Sequence, residues 1–120
     1  MDDCIFCKIR DGKNPSNKVF ENDHVMGFTT IAPVSKGHTL VVPKKHFENI
    51  LEVDDDYVLR EMGLVIGKLS KKIVSENNAT GVNILNASGK DAQQTISHLH
   101  FHIVPRYPDD GLDMWIKQNL

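Results

Sequence analysis

Three of the six histidines stand at alternate positions, His98-Leu99-His100-Phe101-His102, and Ile103-Val104-Pro105-Arg106 follows them. In an extended strand, residues i, i+2 and i+4 point to one face, so the spacing predicts a row of three imidazoles with Leu99, Phe101 and Ile103 turned to the core. Such a row suits metal binding or phosphoryl chemistry. One ion held by all three is the weaker of the two, because alternate strand residues lie about 6 to 7 Å apart, too wide to close on one centre without distortion. A second group with chemical potential is Cys4-Ile5-Phe6-Cys7. Its two-residue gap lets both thiolates reach one ion, while two buried thiols packing as small apolar groups is the alternative.

The elements that must position these groups are legible around them. Residues 4 to 10 suit a short helical turn that brings Ile5, Phe6 and Ile9 together, and Asn14-Pro15-Ser16 reads as a turn. Lys18 to Glu21 and Val25 to Thr29 read as strands joined by a tight hairpin at Asn22-Asp23, and Thr39 to Pro43 as a central buried strand. Val58, Met62, Val65, Leu69 and Ile73 recur at helical spacing after Asp54-Asp55-Asp56, and Asn77-Asn78 with Gly81 ends that helix. Gly81 to Leu85 and Ser97 to Val104 complete the strands, joined by the polar loop Asn86 to Gln94. The pattern predicts a single α+β domain, residues 1–120, with about five strands in a mostly antiparallel sheet, one long helix and a short N-terminal helix.

Composition narrows the function classes. A chain of 120 residues holds one core and not two. The net charge of −2 argues against a sequence-independent nucleic-acid binder, which needs a basic face. A single nucleotide needs only a few placed groups. Acidic residues follow Met1 where a signal peptide carries positive charge, and no apolar run approaches the roughly 20 residues that span a bilayer, so a cytoplasmic location without membrane contact is expected.

The His-x-His-x-His run with an apolar residue at each x is similar to the signature of the histidine triad family. The resemblance extends to Pro33 through Gly37-His38, to Leu40-Val41-Val42-Pro43-Lys44-Lys45-His46, to Cys4-Ile5-Phe6-Cys7-Lys8-Ile9, and to Gln94-Thr95, and it covers essentially the whole chain. It implies a sheet extended across a homodimer, with Trp115 either packed on the partner or covering its own core. It implies that His100 attacks the α-phosphorus of a purine nucleotide or nucleotide conjugate, forming a nucleotidyl-histidine that water resolves, with His102 and His38 beside the phosphate. A carbonyl near His98 that accepts the His100 Nδ1 proton would present Nε2. Asn86, Gln94 and Thr95 correspond to phosphate-loop positions, and Ile5, Phe6, Ile9, Phe28, Thr30 and Ile31 to the nucleoside pocket, Phe28 being equally readable as plain core. Cys4, Cys7, His46 and His98 correspond to a structural zinc site.

Two residues depart from the family pattern. Many members hold both ribose hydroxyls with Asp or Asn where this chain has Thr30, and many carry Gly where Gln93 precedes Gln94. If that backbone needs a positive φ, the departure implies a different loop path. The resemblance admits hydrolysis of nucleoside phosphoramidates or of diadenosine polyphosphates. A nucleotide-binding regulatory or scaffold protein with vestigial catalysis is the alternative, against which the intact His100 speaks.

Overall fold

The computed structural model describes residues 3–117. Two α-helices and five strands run in order: helix α1 (Ile5–Arg10), strands β1 (Lys18–Glu21), β2 (Val25–Thr29) and β3 (Thr39–Pro43), helix α2 (Asp56–Asn77), and strands β4 (Gly81–Leu85) and β5 (Phe101–Arg106). The strands form one sheet in the order β1-β2-β3-β5-β4, and every neighbouring pair is antiparallel.

Period-2 alternation gives this sheet two apolar faces. On one, Val25, Val41 and Ile103 meet Val58, Met62, Val65, Leu69 and Ile73, the buried stripe of α2. The helix starts where Asp55 accepts from the Tyr57 and Val58 N–H groups, and stops at Asn78, whose φ of 55° is left-handed. Gly27 lets α2 come close: a Cβ there would lie 2.8 Å from Leu69 Cδ1. On the opposite face, Met26, Phe28, Leu40 and Val42 meet Phe6 and Ile9 of α1. Phe28 pairs with Leu40 and Leu40 with His102, and directly paired residues share a face, so the triad lies on the α1 side.

Two expectations need correction. The hairpin loop is three residues, Asn22 to His24, because Asn22 Oδ1 accepts from the His24 and Val25 N–H groups at 2.8 Å each and closes an Asx turn. The last strand starts at Phe101 and not at Ser97. The reason lies in the partners available before it: the His98 ring bonds the Pro43 carbonyl at 2.8 Å, and Leu99 N–H donates to the Phe47 carbonyl at 2.7 Å. Residues 97–100 therefore leave the ladder while staying attached to the end of β3. Trp115 is 75% exposed, so it does not cover its own core. No helix among the described residues is long and apolar enough to cross a membrane.

Candidate active site

The hydrogen bonds of the imidazoles fix which nitrogen carries each proton, because a carbonyl only accepts and an amide N–H only donates. His100 Nδ1 lies 2.8 Å from the His98 carbonyl, so Nδ1–H donates and the Nε2 lone pair is left facing outward from that bond. Val34 N–H donates to His38 Nδ1 at 3.2 Å, which places the His38 proton on Nε2. That proton is donated to His102 Nδ1 at 2.9 Å, so the His102 proton sits on Nε2. The result is a nucleophile-type nitrogen on His100 beside an N–H donor on His102, the two rings 5.2 Å apart between centroids.

Burial sets the charge of this pair. Desolvation pushes His102 down to about 4 and lowers His38 as well, with the neighbouring imidazoles adding to the effect on His102. His38 and His102 are therefore neutral near pH 7 in the unliganded protein. In that state the His38 Nε2–H is donated to His102, and the His102 Nε2–H is the donor the pair presents.

The loop residues position this machinery. Asn86 Nδ2 donates to the His100 carbonyl at 2.9 Å, and Asn86 Oδ1 accepts from Ser88 at 2.8 Å. The Gln94 amide donates to the Glu48 and Ile96 carbonyls at 2.6 and 2.9 Å and accepts from Gly89 N–H at 2.8 Å. Two of the three side chains expected at the phosphates, Asn86 and Gln94, are thus committed to the protein itself. Gln93 adopts φ 68°, so the loop keeps a left-handed path despite lacking glycine there, contrary to the altered path the sequence suggested.

Ile5, Phe6, Ile9, Phe28, Thr30 and Ile31 line one cleft of about 370 Å³. Phe6, Ile9 and Phe28 are also buried core residues, so Phe28 both lines the cleft and belongs to the core. Ile31 is 98% exposed at the mouth, and Thr30 Oγ1 already accepts from Ala32 N–H at 3.2 Å. The cleft also takes in Leu40 and Ile96, which the sequence reading missed, although the Phe28–Leu40 pairing placed Leu40 there. Thr95 lines a neighbouring cleft with Cys4, His46 and Glu48. Phe6 joins the two regions, its ring 5.5 Å from the ring of His98 and 5.4 Å from that of His100.

Cys4, Cys7, His46 and His98 converge at the base of α1, with all four candidate ligand atoms within 4.8 Å of one another. His98 Nδ1 lies 3.3 Å from Cys4 Sγ, 3.7 Å from Cys7 Sγ and 3.1 Å from His46 Nδ1, and Cys7 Sγ lies 3.5 Å from His46 Nδ1. A tetrahedral ion with sulfur and nitrogen ligands would have edges of about 3.3 to 3.8 Å, so the donors fit such a group. His98 Nε2–H donates to the Pro43 carbonyl, which frees Nδ1 for an ion. Burial raises the Cys7 thiol, so a thiolate there needs a cation beside it. His46 Nε2 is buried without a hydrogen bond, with Glu48 Oε1 at 3.7 Å, too far for a hydrogen bond but placed to orient the ring.

A HIT domain model matches residues 11–109. An uncharacterised HIT-like protein of Methanocaldococcus jannaschii is 45% identical over 90% of this chain and 82% of its own length. An adenosine 5'-monophosphoramidase of Candida albicans is 37% identical over 86% of this chain and 70% of its own. The crystal structure of a Zn-bound histidine triad family protein from Mycobacterium smegmatis superposes with a TM-score of 0.87 at 31% identity, covering 98% of this chain and 85% of that one. The domain match spans well over half the sequence, and on that ground the chain belongs to the histidine triad family.

Proposed function

We propose that this protein hydrolyses a nucleoside phosphoramidate or a dinucleoside polyphosphate at the α-phosphate, with His100 as the nucleophile. The observation that carries the reading is the His100 Nδ1–H bond to the His98 carbonyl, which in the neutral ring leaves the lone pair on Nε2. In the first step Nε2 attacks phosphorus, an Nε2–P bond forms, and the bond to the leaving group breaks. An amine leaves with the P–N electron pair and takes a proton from solvent. In the second step water attacks the same phosphorus, Nε2 recovers its lone pair, and the nucleoside monophosphate departs with one proton released. His102 Nε2–H, held in that tautomer by His38, donates to a nonbridging oxygen as charge accumulates. Asn86 and Gln94 hold the backbone around the nucleophile, and the apolar cleft takes the nucleoside, its flat base lying against Phe6 and Phe28. The phosphoramidase named among the relatives supports this reading.

In the same reading the cluster of Cys4, Cys7, His46 and His98 holds zinc in a structural role. A closed site of two thiolates and two imidazoles leaves no open position for substrate, and it ties α1 to the end of β3. The zinc named for a family structure supports this choice of ion. A homodimer across the open β4 edge fits exposed Ile84 on that strand and Leu64 on α2.

The test offers an AMP–amine phosphoramidate and diadenosine tetraphosphate side by side to wild type and His100→Ala, with metal content measured on the purified protein. Turnover of either compound that vanishes in the variant supports the reading and identifies the branch. A folded wild type that turns over neither, or a variant as active as wild type, contradicts it.

A further inference from the structure

The cleft assigned above to the nucleoside is apolar along its floor and polar along one rim. Phe6, Phe28 and Leu40 supply floor, while Asn14, Ser16 and Asn17, from the turn between α1 and β1, supply the rim. An apolar slot grips a flat ring by its faces, and such a slot discriminates weakly between rings that differ by one polar group. Edge recognition needs donors and acceptors that are still free. The carboxamides of Asn86 and Gln94 are committed to the loop backbone, whereas among the described residues the side chains of Asn14, Ser16 and Asn17 make no hydrogen bond.

The rim is also held in place. Lys13 and Asn14 N–H groups both donate to the Lys8 carbonyl at the end of α1, at 2.8 and 3.3 Å, and Thr29 N–H donates to the Asn17 carbonyl at 3.1 Å. Pro15 fixes φ between the two asparagines. Asn14 is half-buried, which shelters a hydrogen bond from water, and Asn17 is exposed.

We infer that Asn14, assisted by Asn17, reads the six-position edge of a purine base, so that the cleft selects purines bearing a hydrogen-bonding group there over the bare ring. The inference rests on the nucleotide reading above. A carboxamide presents an acceptor and a donor side by side, the complement of an amino group next to a ring nitrogen, and by turning over it also complements a carbonyl next to a ring N–H. The ring without a six-position substituent offers no such pair.

The experiment is equilibrium binding of AMP and of purine riboside 5'-monophosphate, the same nucleotide without its amino group, to wild type, Asn14→Leu, Asn14→Asp and Asn17→Ala. Wild type is expected to prefer AMP roughly tenfold. Asn14→Leu brings the ratio to within about twofold while holding purine riboside monophosphate at least as well as wild type, since it keeps the contact area and removes only the polar edge. Asn14→Asp, which keeps the size and removes the donor, lowers the ratio as well and covers the case in which the leucine variant does not fold. Asn17→Ala lowers it less. A wild-type ratio near one, or a ratio undiminished in both folded Asn14 variants, overturns the inference and leaves the nucleotide reading standing. A folded wild type that binds neither nucleotide overturns that reading and the inference with it.

Discussion

Neutrality of the His38–His102 pair is a claim about protons, and acid titration tests it. Burial holds His102 at about 4 in the folded protein, against 6.5 for an unperturbed histidine. Between those values the unfolded chain carries a proton on this side chain and the folded chain does not. Stability therefore rises with pH across this window and is lost as pH falls from about 6.5 towards 4. Integrating the difference from pH 7 to pH 5 gives about 2 kcal/mol for His102 alone. In a domain of this size that corresponds to a fall of about 8 °C in Tm. His38 acts in the same direction. The control is His102→Gln, whose carbonyl oxygen can still accept from His38 Nε2 but which does not titrate. Urea unfolding of both proteins at pH 7 and pH 5 isolates the effect, since acid also acts on the cysteine–histidine cluster but equally in both. Wild type is expected to lose about 2 kcal/mol more than the variant over this interval. Equal losses would refute the neutral pair.

Substitutions at Gln93, Asn86 and Gly27 probe how the loop and the sheet hold the site. Gln93→Gly removes the strain of a left-handed side-chain-bearing residue and, after its own entropy cost, is expected to stabilise the fold by about 1 kcal/mol, while Gln93→Ala changes little, as read by chemical denaturation. Asn86→Ala takes the donor from the His100 carbonyl and is expected to lower kcat about tenfold with little change in KM, as read by steady-state kinetics. Gly27→Ala forces a methyl against Leu69 in a packed core and is expected to cost about 1 to 3 kcal/mol in thermal unfolding, with Leu69→Val reducing that cost in a double-mutant cycle.

Much of this arrangement was legible in the sequence because it follows from periodicity. The stripe from Val58 to Ile73, the Asp55 cap and the Asn78 stop define α2, and the alternation after His98 put His100 and His102 on the face opposite Phe101 and Ile103. The carbonyl that fixes the His100 tautomer was also foreseeable, since the chain itself supplies it two residues earlier. What escaped depends on where hydrogen bonds are spent. Sequence shows that Asn86 and Gln94 own carboxamides, but only the fold shows that Phe47 and Pro43 draw residues 97–100 out of the ladder and that Gln94 faces Glu48 and Ile96. Gln93 escaped because a non-glycine residue at positive φ leaves no mark in composition. The charge of His38 and His102 was not legible because burial, not residue type, decides it. Asn14 read as an ordinary turn residue until α1 and β2 closed the cleft around it.

The central claim is that His100 Nε2 becomes bonded to phosphorus. The most direct measurement is intact mass of the protein quenched in acid-free denaturant during turnover of an AMP–amine phosphoramidate, with phosphorus NMR to identify the bond. The account predicts a wild-type species heavier by one adenylyl group, carrying a phosphorus–nitrogen resonance that maps to His100 by peptide digestion and is absent from His100→Ala. An active wild type whose label maps to another residue, or a His100→Ala protein that still turns over and still accumulates the adduct, would contradict it.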